Sequence, residues 1–314
     1  MPKISVAIVS YRVRNLLEAC LRSVDGNGLR GDMEVIVVDN ASGDGTIREL
    51  KPCFPEVRWV ENAENVGFAT AANQAAALAS GEYILILNPD ATLVPGGLAH
   101  LLDFIEKHPE VGVVGPRLLL SDGSPYVSVT PFPTIASVLL YETRLNRVFK
   151  HSPITHPYER HLQRAEPFPV DAVEGSCFLV RRTVWEAVRG FDNRYFFGVE
   201  DMDFAWRVRR AGWEIWYHPF PVAVHHHSGS TGGKRKGVLV LVSVGLGQMY
   251  FLREQQPIAY AILRLPLFVI FTTKWMLCFL FGETEKKIAF RETVKALLAL
   301  RQPWITAEDL RRWG

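Results

Sequence analysis

A chain of 314 residues with 48% hydrophobic and 22% charged residues is made up like an ordinary globular protein, which excludes disordered and collagen-like chains. Its net charge of +2 conceals an asymmetry, because residues 234–314 hold 13 Lys/Arg against 6 Asp/Glu. A basic, apolar tail on a mildly acidic body points to an anionic membrane surface; a nucleic-acid partner is not expected, since no basic stripe interleaved with exposed aromatics is present.

The chain opens directly on an apolar strand, Ile4–Ser10, with no cleavable leader before it, so the body is expected in the cytosol. There the widely spaced Cys20, Cys53, Cys177 and Cys278 would be buried thiols. Further strands are expected at Glu34–Asp39, Val57–Glu61, Tyr83–Asn88 and Val111–Pro116, as Val/Ile/Leu runs covered on both faces. Helical patterns alternate with them at Leu16–Val24, Ala69–Ala79 and Pro95–His108, with Pro95 suited to a first turn. Such units build an α/β fold, a mostly parallel sheet flanked by helices, with its ligand site off the carboxyl ends of the strands. Ser10, Asp39 and Asn88–Asp90 then fall along one edge although they are far apart in the chain.

Residues 121–169, rich in Pro and polar side chains, read as a long, partly helical insertion contacting an acceptor. Helices are expected again at Thr183–Val188 and Asp201–Ala211, the latter stopped by Gly212. From Gly237 onward the chain is strongly apolar, with Pro257 and Pro266 breaking the stretch Ile258–Phe281. Leu267–Phe281 is shorter than the roughly 20 residues of a spanning helix and carries Lys274. Helices lying in the interface, with Arg264 and Lys274 reaching headgroups, fit better than a true span or a buried appendage. The chain therefore divides into residues 1–233 and a helical, membrane-associating region at 234–314.

Several segments carry groups that bind or react. Asp39 ends a strand, where a carboxylate accepts from a base imide or a ribose hydroxyl; an ordinary turn with Asp44 or Thr46 capping the next helix accounts for the pattern equally well. Asn65-Val66-Gly67-Phe68 leads into a helix containing Asn73. Asn88-Pro89-Asp90 sets a carboxylate on a rigid turn, as hard divalent cations prefer, although taken alone an ordinary Pro-Asp turn accounts for it better. Glu200-Asp201-Met202-Asp203 opens a helix, where the macrodipole alone stabilises acids, and follows the aromatic run Tyr195-Phe196-Phe197, suited to lining a sugar pocket. In His225-His226-His227 side chains alternate if the backbone is extended, so either His226 faces the site or His225 and His227 do.

Together these segments resemble the family-2 glycosyltransferases of the GT-A fold, especially the rhamnosyltransferase-like branch. The matching pieces, in order, are Val9-Ser10-Tyr11, Val38-Asp39-Asn40-Ala41-Ser42, Asn65-Val66-Gly67-Phe68-Ala69, Leu87-Asn88-Pro89-Asp90, Gly175-Ser176-Cys177 running to Arg182, Gly190-Phe191-Asp192, Glu200-Asp201-Met202-Asp203, and His225 with Gly229-Ser230, spanning Ile4 to Thr231. The resemblance implies an inverting transfer from a nucleoside diphosphate sugar to a hydroxyl of a glycan or lipid-linked acceptor, at the cytoplasmic face of a membrane. Ser10, Tyr11, Asp39, Asn65, Asn73 and Asn88 would serve the nucleotide. Asp90 and His225 would hold Mg2+ or Mn2+, Asp201 would be the base, and Gly175, Ser176, Phe197 and Glu200 would line the acceptor or sugar pocket. Asn88 stands where many relatives have Asp, and Arg12 where Asn is often found. The branch points to a rhamnosyl donor, with UDP-sugars as the alternative; no oligomeric state is implied. A sugar nucleotidyltransferase would need a glycine-rich basic loop after the first strand, which Ser10-Tyr11-Arg12-Val13-Arg14 lacks. A non-catalytic scaffold has no use for the retained acids at positions 90, 200 and 201.

Overall fold

The computed structural model describes residues 2–26, 31–149, 152–158, 165–226, 234–282, 284–306, 308–309 and 312; His227, Gly229-Ser230 and the boundary at 233 lie outside the described residues. The first half runs β1 (Ile4–Ser10), α1 (Arg14–Asp25), β2 (Met33–Asp39), α2 (Thr46–Leu50), β3 (Arg58–Glu61), α3 (Phe68–Ala77), β4 (Tyr83–Leu87), β5 (Ala91–Leu93), α4 (Gly97–Lys107) and β6 (Val111–Leu119). The insertion holds β7 (Pro125–Tyr126), β8 (Val129–Thr130), α5 (Ile135–Glu142), a 3-10 turn at Leu145–Arg147 and β9 (Phe168–Pro169). There follow β10 (Ala172–Val173), β11 (Cys177–Arg181), α6 (Arg182–Ala187), α7 (Glu200–Arg210), β12 (Glu214–His225), α8 (Lys234–Gln255), α9 (Pro257–Phe281) and α10 (Thr284–Leu297).

The main sheet has the order β3-β2-β1-β4-β11-β6-β12-β5. β11 and β5 run against the other six of these strands. Alternation along β1 shows why the strands read as continuous apolar runs. Ala7 and Val9 face one core with Ala69, Ala72, Phe204 and Val208, whereas Val6 and Ile8 face another with Leu17, Leu21, Leu101 and Ile105. Both faces are covered by helices, so apart from Ser5, whose buried hydroxyl donates to Glu34, no polar residue enters β1 until the strand ends.

Register then sets the functional edge. Ser10 pairs with Asp39 across β1 and β2, and Ile8 with Leu87 across β1 and β4, which carries Asn88–Asp90 just beyond. Cys177 of reversed β11 pairs with Leu87, so Gly175 and Ser176 enter the sheet at that same edge.

Three local expectations are corrected. α4 starts at Gly97 behind a left-handed Gly96 (φ +74), leaving Pro95 outside the helix; Gly97 lies so close to β12 that a Cβ would stand 2.8 Å from Val222 Cα. Pro266 does not break α9, which runs through it, because Leu263, Leu267 and Phe271 are buried on one stripe against Met249, Leu252, Val294 and Leu297. Cys53 is exposed, unlike the other three cysteines.

The charges of α9 also turn inward. Arg264 Nε donates to the Leu297 carbonyl, and Lys274 pairs with Glu142 of α5 and lies over the rings of Phe271 and Phe290. Neither side chain is extended towards a headgroup layer.

Gly67 joins α3 to the turn before α7. Its φ of +84 and ψ of 164 lie in a region essentially closed to side chains, and a Cβ would stand 2.7 Å from the Phe196 carbonyl oxygen and ring. Gly67→Ala is expected to cost about 1–3 kcal/mol from backbone strain alone, read as a lowered urea midpoint; an unchanged midpoint would show that the turn yields freely.

Candidate active site

At the ends of β1 and β2, Ser10 and Asp39 are both buried. The Ser10 carbonyl accepts from Asn40 N (2.8 Å), and Asp39 Oδ2 accepts from Ser42 N (3.1 Å). Burial pushes the Asp39 carboxyl above its ordinary value against the opposing Ser42 bonds. Arg12 (φ +57) and Ala41 (φ +61) hold left-handed conformations here. Arg12 N donates to Ser42 Oγ, tying the two loops together at 2.9 Å. Tyr11 is half-buried beneath the Arg12 guanidinium.

An amide network builds the neighbouring wall. Asn40 Nδ2 donates to Asn65 Oδ1 (2.8 Å), Asn40 Oδ1 accepts from Asn62 Nδ2 and Val66 N, and Asn65 Oδ1 also accepts from Gly67 N. Asn65 thus shapes the turn with its own oxygen. Asn73 is committed elsewhere: Oδ1 accepts from Phe191 N (2.9 Å), and Nδ2 donates to Phe191 O (2.8 Å) and Asn193 Oδ1 (2.7 Å). It braces the loop leading to α7 and is not brought in among the carboxylates.

Beyond β4, Asn88 N donates to Ser176 O (2.9 Å), joining Asn88-Pro89-Asp90 to the Glu174-Gly175-Ser176 turn. Asp90 is 8% exposed and His225 6%, and His225 Nε2 lies 3.1 Å from Asp90 Oδ1. The alternation left open by the histidine run is thereby decided. His225 faces Asp90, while His226 lies against Thr92 Oγ1 (3.2 Å) and Ser121 Oγ (3.0 Å).

Asp201 stands at the N-terminus of α7, where the helix dipole and free amides favour an anion. Its Oδ2 accepts from Gly175 N (2.9 Å) and its Oδ1 from Met202 N (2.8 Å). Burial nevertheless pushes its carboxyl above the ordinary value. Gly175 lies between acid and ring, since a Cβ there would be 3.6 Å from Asp201 Oδ2 and 3.8 Å from Phe68. Glu200 is buried and pushed up to about 8, by burial first and then by Asp201. Phe197 is half-buried in the turn before it. Asp203 is structural, held by Arg207 (2.8 Å) and Gln255 (2.9 Å).

Sequence reasoning missed Glu174 and Tyr126. Both Glu174 oxygens accept from the Tyr126 hydroxyl, at 3.0 and 2.9 Å. Burial lifts Glu174 to about 7, with Asp201 adding to the rise and Tyr126 and His225 opposing it. A carboxylate next to Gly175-Ser176 was visible, but its tyrosine arrives on β7, 48 residues away.

Four buried oxygens around this edge, Ser10 Oγ, Asp39 Oδ1, Ser176 Oγ and Glu200 Oε2, have no hydrogen-bond partner. Buried polar atoms left this way are costly; gathered at one strand edge, they mark a place for a polar ligand. Among the described residues no group of three or more His, Cys, Asp and Glu side chains could hold a metal ion. Asp90 and His225 supply two donors, which suits a cation whose other ligands are substrate phosphates and water.

The residue pattern of Glycosyl transferase family 2 matches residues 5–189. An N-acetylglucosaminyl-diphospho-decaprenol L-rhamnosyltransferase of Mycobacterium tuberculosis is 33% identical over 72% of this chain and 77% of its own. The low-salt glycan biosynthesis hexosyltransferase Agl10 of Haloferax volcanii is 24% identical over 71% of this chain and 67% of its own. The solved structure of GalNAc-T7 with UDP, GalNAc and Mn2+ superposes with a TM-score of 0.57 at 18% identity, covering 82% of this chain. This chain spans only 52% of that solved chain, and the likeness establishes the GT-A type of fold.

The Glu200 carboxyl has a stability consequence. Between its ordinary value of 4.5 and about 8, the folded chain keeps a proton that the unfolded chain has released, so this group's contribution falls as pH rises. Glu200→Gln removes that slope. Relative to the parent, its unfolding free energy should be unchanged near pH 4 and higher at pH 8 by at least about 1 kcal/mol, one pKa unit's worth. Equal offsets at the two pH values in urea melts would contradict this.

Proposed function

The chain belongs to glycosyl transferase family 2, and from that premise we propose that it is a metal-assisted, inverting enzyme acting on a lipid-linked acceptor at the cytoplasmic face of a membrane. It transfers a sugar from a nucleotide-sugar donor. The observation that carries the finer reading is the meeting of Asp39, Asp90 and Asp201 at one sheet edge, with unpartnered buried oxygens around them.

In this reading Ser10, Tyr11, Asp39, Asn65 and Asn88 form the nucleotide side, and Gly175, Ser176, Phe197 and Glu200 the acceptor side, with Asn73 supporting the loop between them. Asp201 takes the proton of the acceptor hydroxyl as its oxygen bonds to the anomeric carbon and the diphosphate departs from the opposite face. A carboxylate raised by burial but still held by two amides suits that work, being basic yet fixed in direction. Asp90 and His225 would hold Mg2+ or Mn2+, which supplies positive charge against the charge building on the leaving diphosphate. The Mycobacterium relative, named for L-rhamnose and a diphospho-decaprenol acceptor, supports a rhamnosyl donor and a polyprenyl-linked glycan.

Helix α9 supports the membrane reading, which makes 234–314 the membrane-associating region. Ile258, Ile262, Leu265, Val269, Met276 and Leu280 are each more than half exposed and recur at the spacings of one helical stripe. With Arg264 and Lys274 turned inward, that stripe is free of charge. Helix α9 lying in the interface then needs no charge carried into the bilayer. The basic excess of the tail adds attraction to an anionic leaflet.

Asp201→Asn is expected to lower turnover by at least about 100-fold, the lower range for lost general-base catalysis, with nucleoside diphosphate binding retained; near-parental turnover would remove Asp201 from this role. Asp90→Ala should lose the metal-dependent part of donor affinity, measured by calorimetry with and without metal; an unchanged affinity with metal present would count against the assignment. Leu265→Glu with Leu280→Glu, both at exposed sites, should lower co-sedimentation with anionic vesicles without lowering the thermal midpoint. Undiminished sedimentation would rule out docking by α9.

A further inference from the structure

The turn that presents the base is held in an unfavourable shape. Gly198 and Val199 are consecutive left-handed residues, at φ +79 and +76. For a β-branched residue this conformation is strained and persists only where surrounding contacts impose it. One side of the turn is held by α3, where Phe68 N donates to Phe196 O (2.8 Å).

The other side is held by α8, well beyond the part of the chain that matches the family pattern. A Cβ on Gly247 would lie 3.2 Å from the Gly198 carbonyl oxygen and 3.4 Å from Val199 Cβ and the Tyr195 ring; one on Gly198 would lie 2.8 Å from Val244 Cγ2. Around this contact Tyr250 donates to Asp192 Oδ2 (3.2 Å) and packs edge-on against Tyr195, and Gln255 donates to Asp203 Oδ1 (2.9 Å). Gly245, two residues from Gly247, serves a different neighbour, since a Cβ there would meet Thr293 Oγ1 of α10 at 2.8 Å. Residues two apart on a helix point to nearly opposite sides, so α8 is wedged between α10 and the catalytic turn.

We infer that α8 belongs to the transfer site: Val244 and Gly247 are positioning residues that hold the Gly198–Val199 turn and so set where the Asp201 carboxylate stands against the acceptor hydroxyl. This rests on Asp201 being the base. It gives the C-terminal helices a task in the chemistry in addition to docking, because a side chain at 247 crowds the Gly198 carbonyl oxygen, two residues before Glu200.

The test uses the full chain with Gly247→Ala, Val244→Ala and, as control, Gly245→Ala on the α10 side of the same helix. Gly247→Ala moves the turn by a few tenths of an ångström. Its kcat should fall on the order of tenfold, given that misplacement by about 1 Å costs about 100-fold, with donor KM and nucleoside diphosphate affinity unchanged. Val244→Ala loosens the turn without overfilling it, so its kcat should also fall and amide hydrogen exchange across residues 196–203 should quicken. Gly245→Ala should change the thermal midpoint while sparing both kcat and that exchange. Parental kcat and exchange in the Val244 and Gly247 variants would overturn the inference, as would losses in all three variants that merely track the thermal midpoint. A parent chain that releases no nucleoside diphosphate would count against the proposed function instead, and the exchange measurement would still decide whether α8 clamps the turn.

Discussion

Desolvation of acidic groups at one edge of the sheet is the constraint around which this protein is organised. Asp39, Glu174, Glu200 and Asp201 are all pushed above their ordinary values, in each case with burial as the leading cause. A fold selected for stability alone would not collect buried and half-buried carboxyls at one edge and leave oxygens of Asp39 and Glu200 without partners. The arrangement becomes favourable when a polar ligand fills the edge. The same low-water environment strengthens whatever interactions the ligand makes there.

The rest of the domain can be read as the scaffold that holds this edge. Two buried faces on β1, β2 and β4 keep the strands in register, and register brings Ser10 beside Asp39 and carries Asp90 beyond Leu87. Reversed β11 brings Gly175 and Ser176 to the same level from the other direction, and the Gly175 amide grips Asp201. Backbone groups therefore orient the Asp201 carboxylate, and they cannot rotate away as side chains can. Of the six left-handed non-glycine residues among those described, Arg12, Ala41 and Val199 lie on the loops at this edge.

The C-terminal helices connect this edge to the outer surface. α8 touches the Gly198–Val199 turn on one side and α10 on the other, and α10 packs on α9 through the cluster holding Val294 and Leu297. An exposed apolar stripe and a buried carboxylate are thus joined by a short stack of helices.

Local pattern was enough to identify β1 to β4 and β6, the helices α1, α3 and α4, and the acids at strand ends, though not the short β5, because apolar alternation and helical period are properties of neighbouring residues. Through the general rule for parallel sheets it also placed Ser10, Asp39 and Asp90 on one edge, whereas Asp201, at a helix start, was tied to them by the family resemblance. It could not decide which histidine of the run faces Asp90, that Tyr126 would cover Glu174, that Asn73 would be spent on Phe191 and Asn193, or that Arg264 and Lys274 would turn inward. It placed a break at Pro266 where tertiary packing carries the helix through. Each of those outcomes depends on contacts of a few ångströms between segments tens of residues or more apart, and such contacts follow from how helices and loops close over the sheet, which no local spacing encodes.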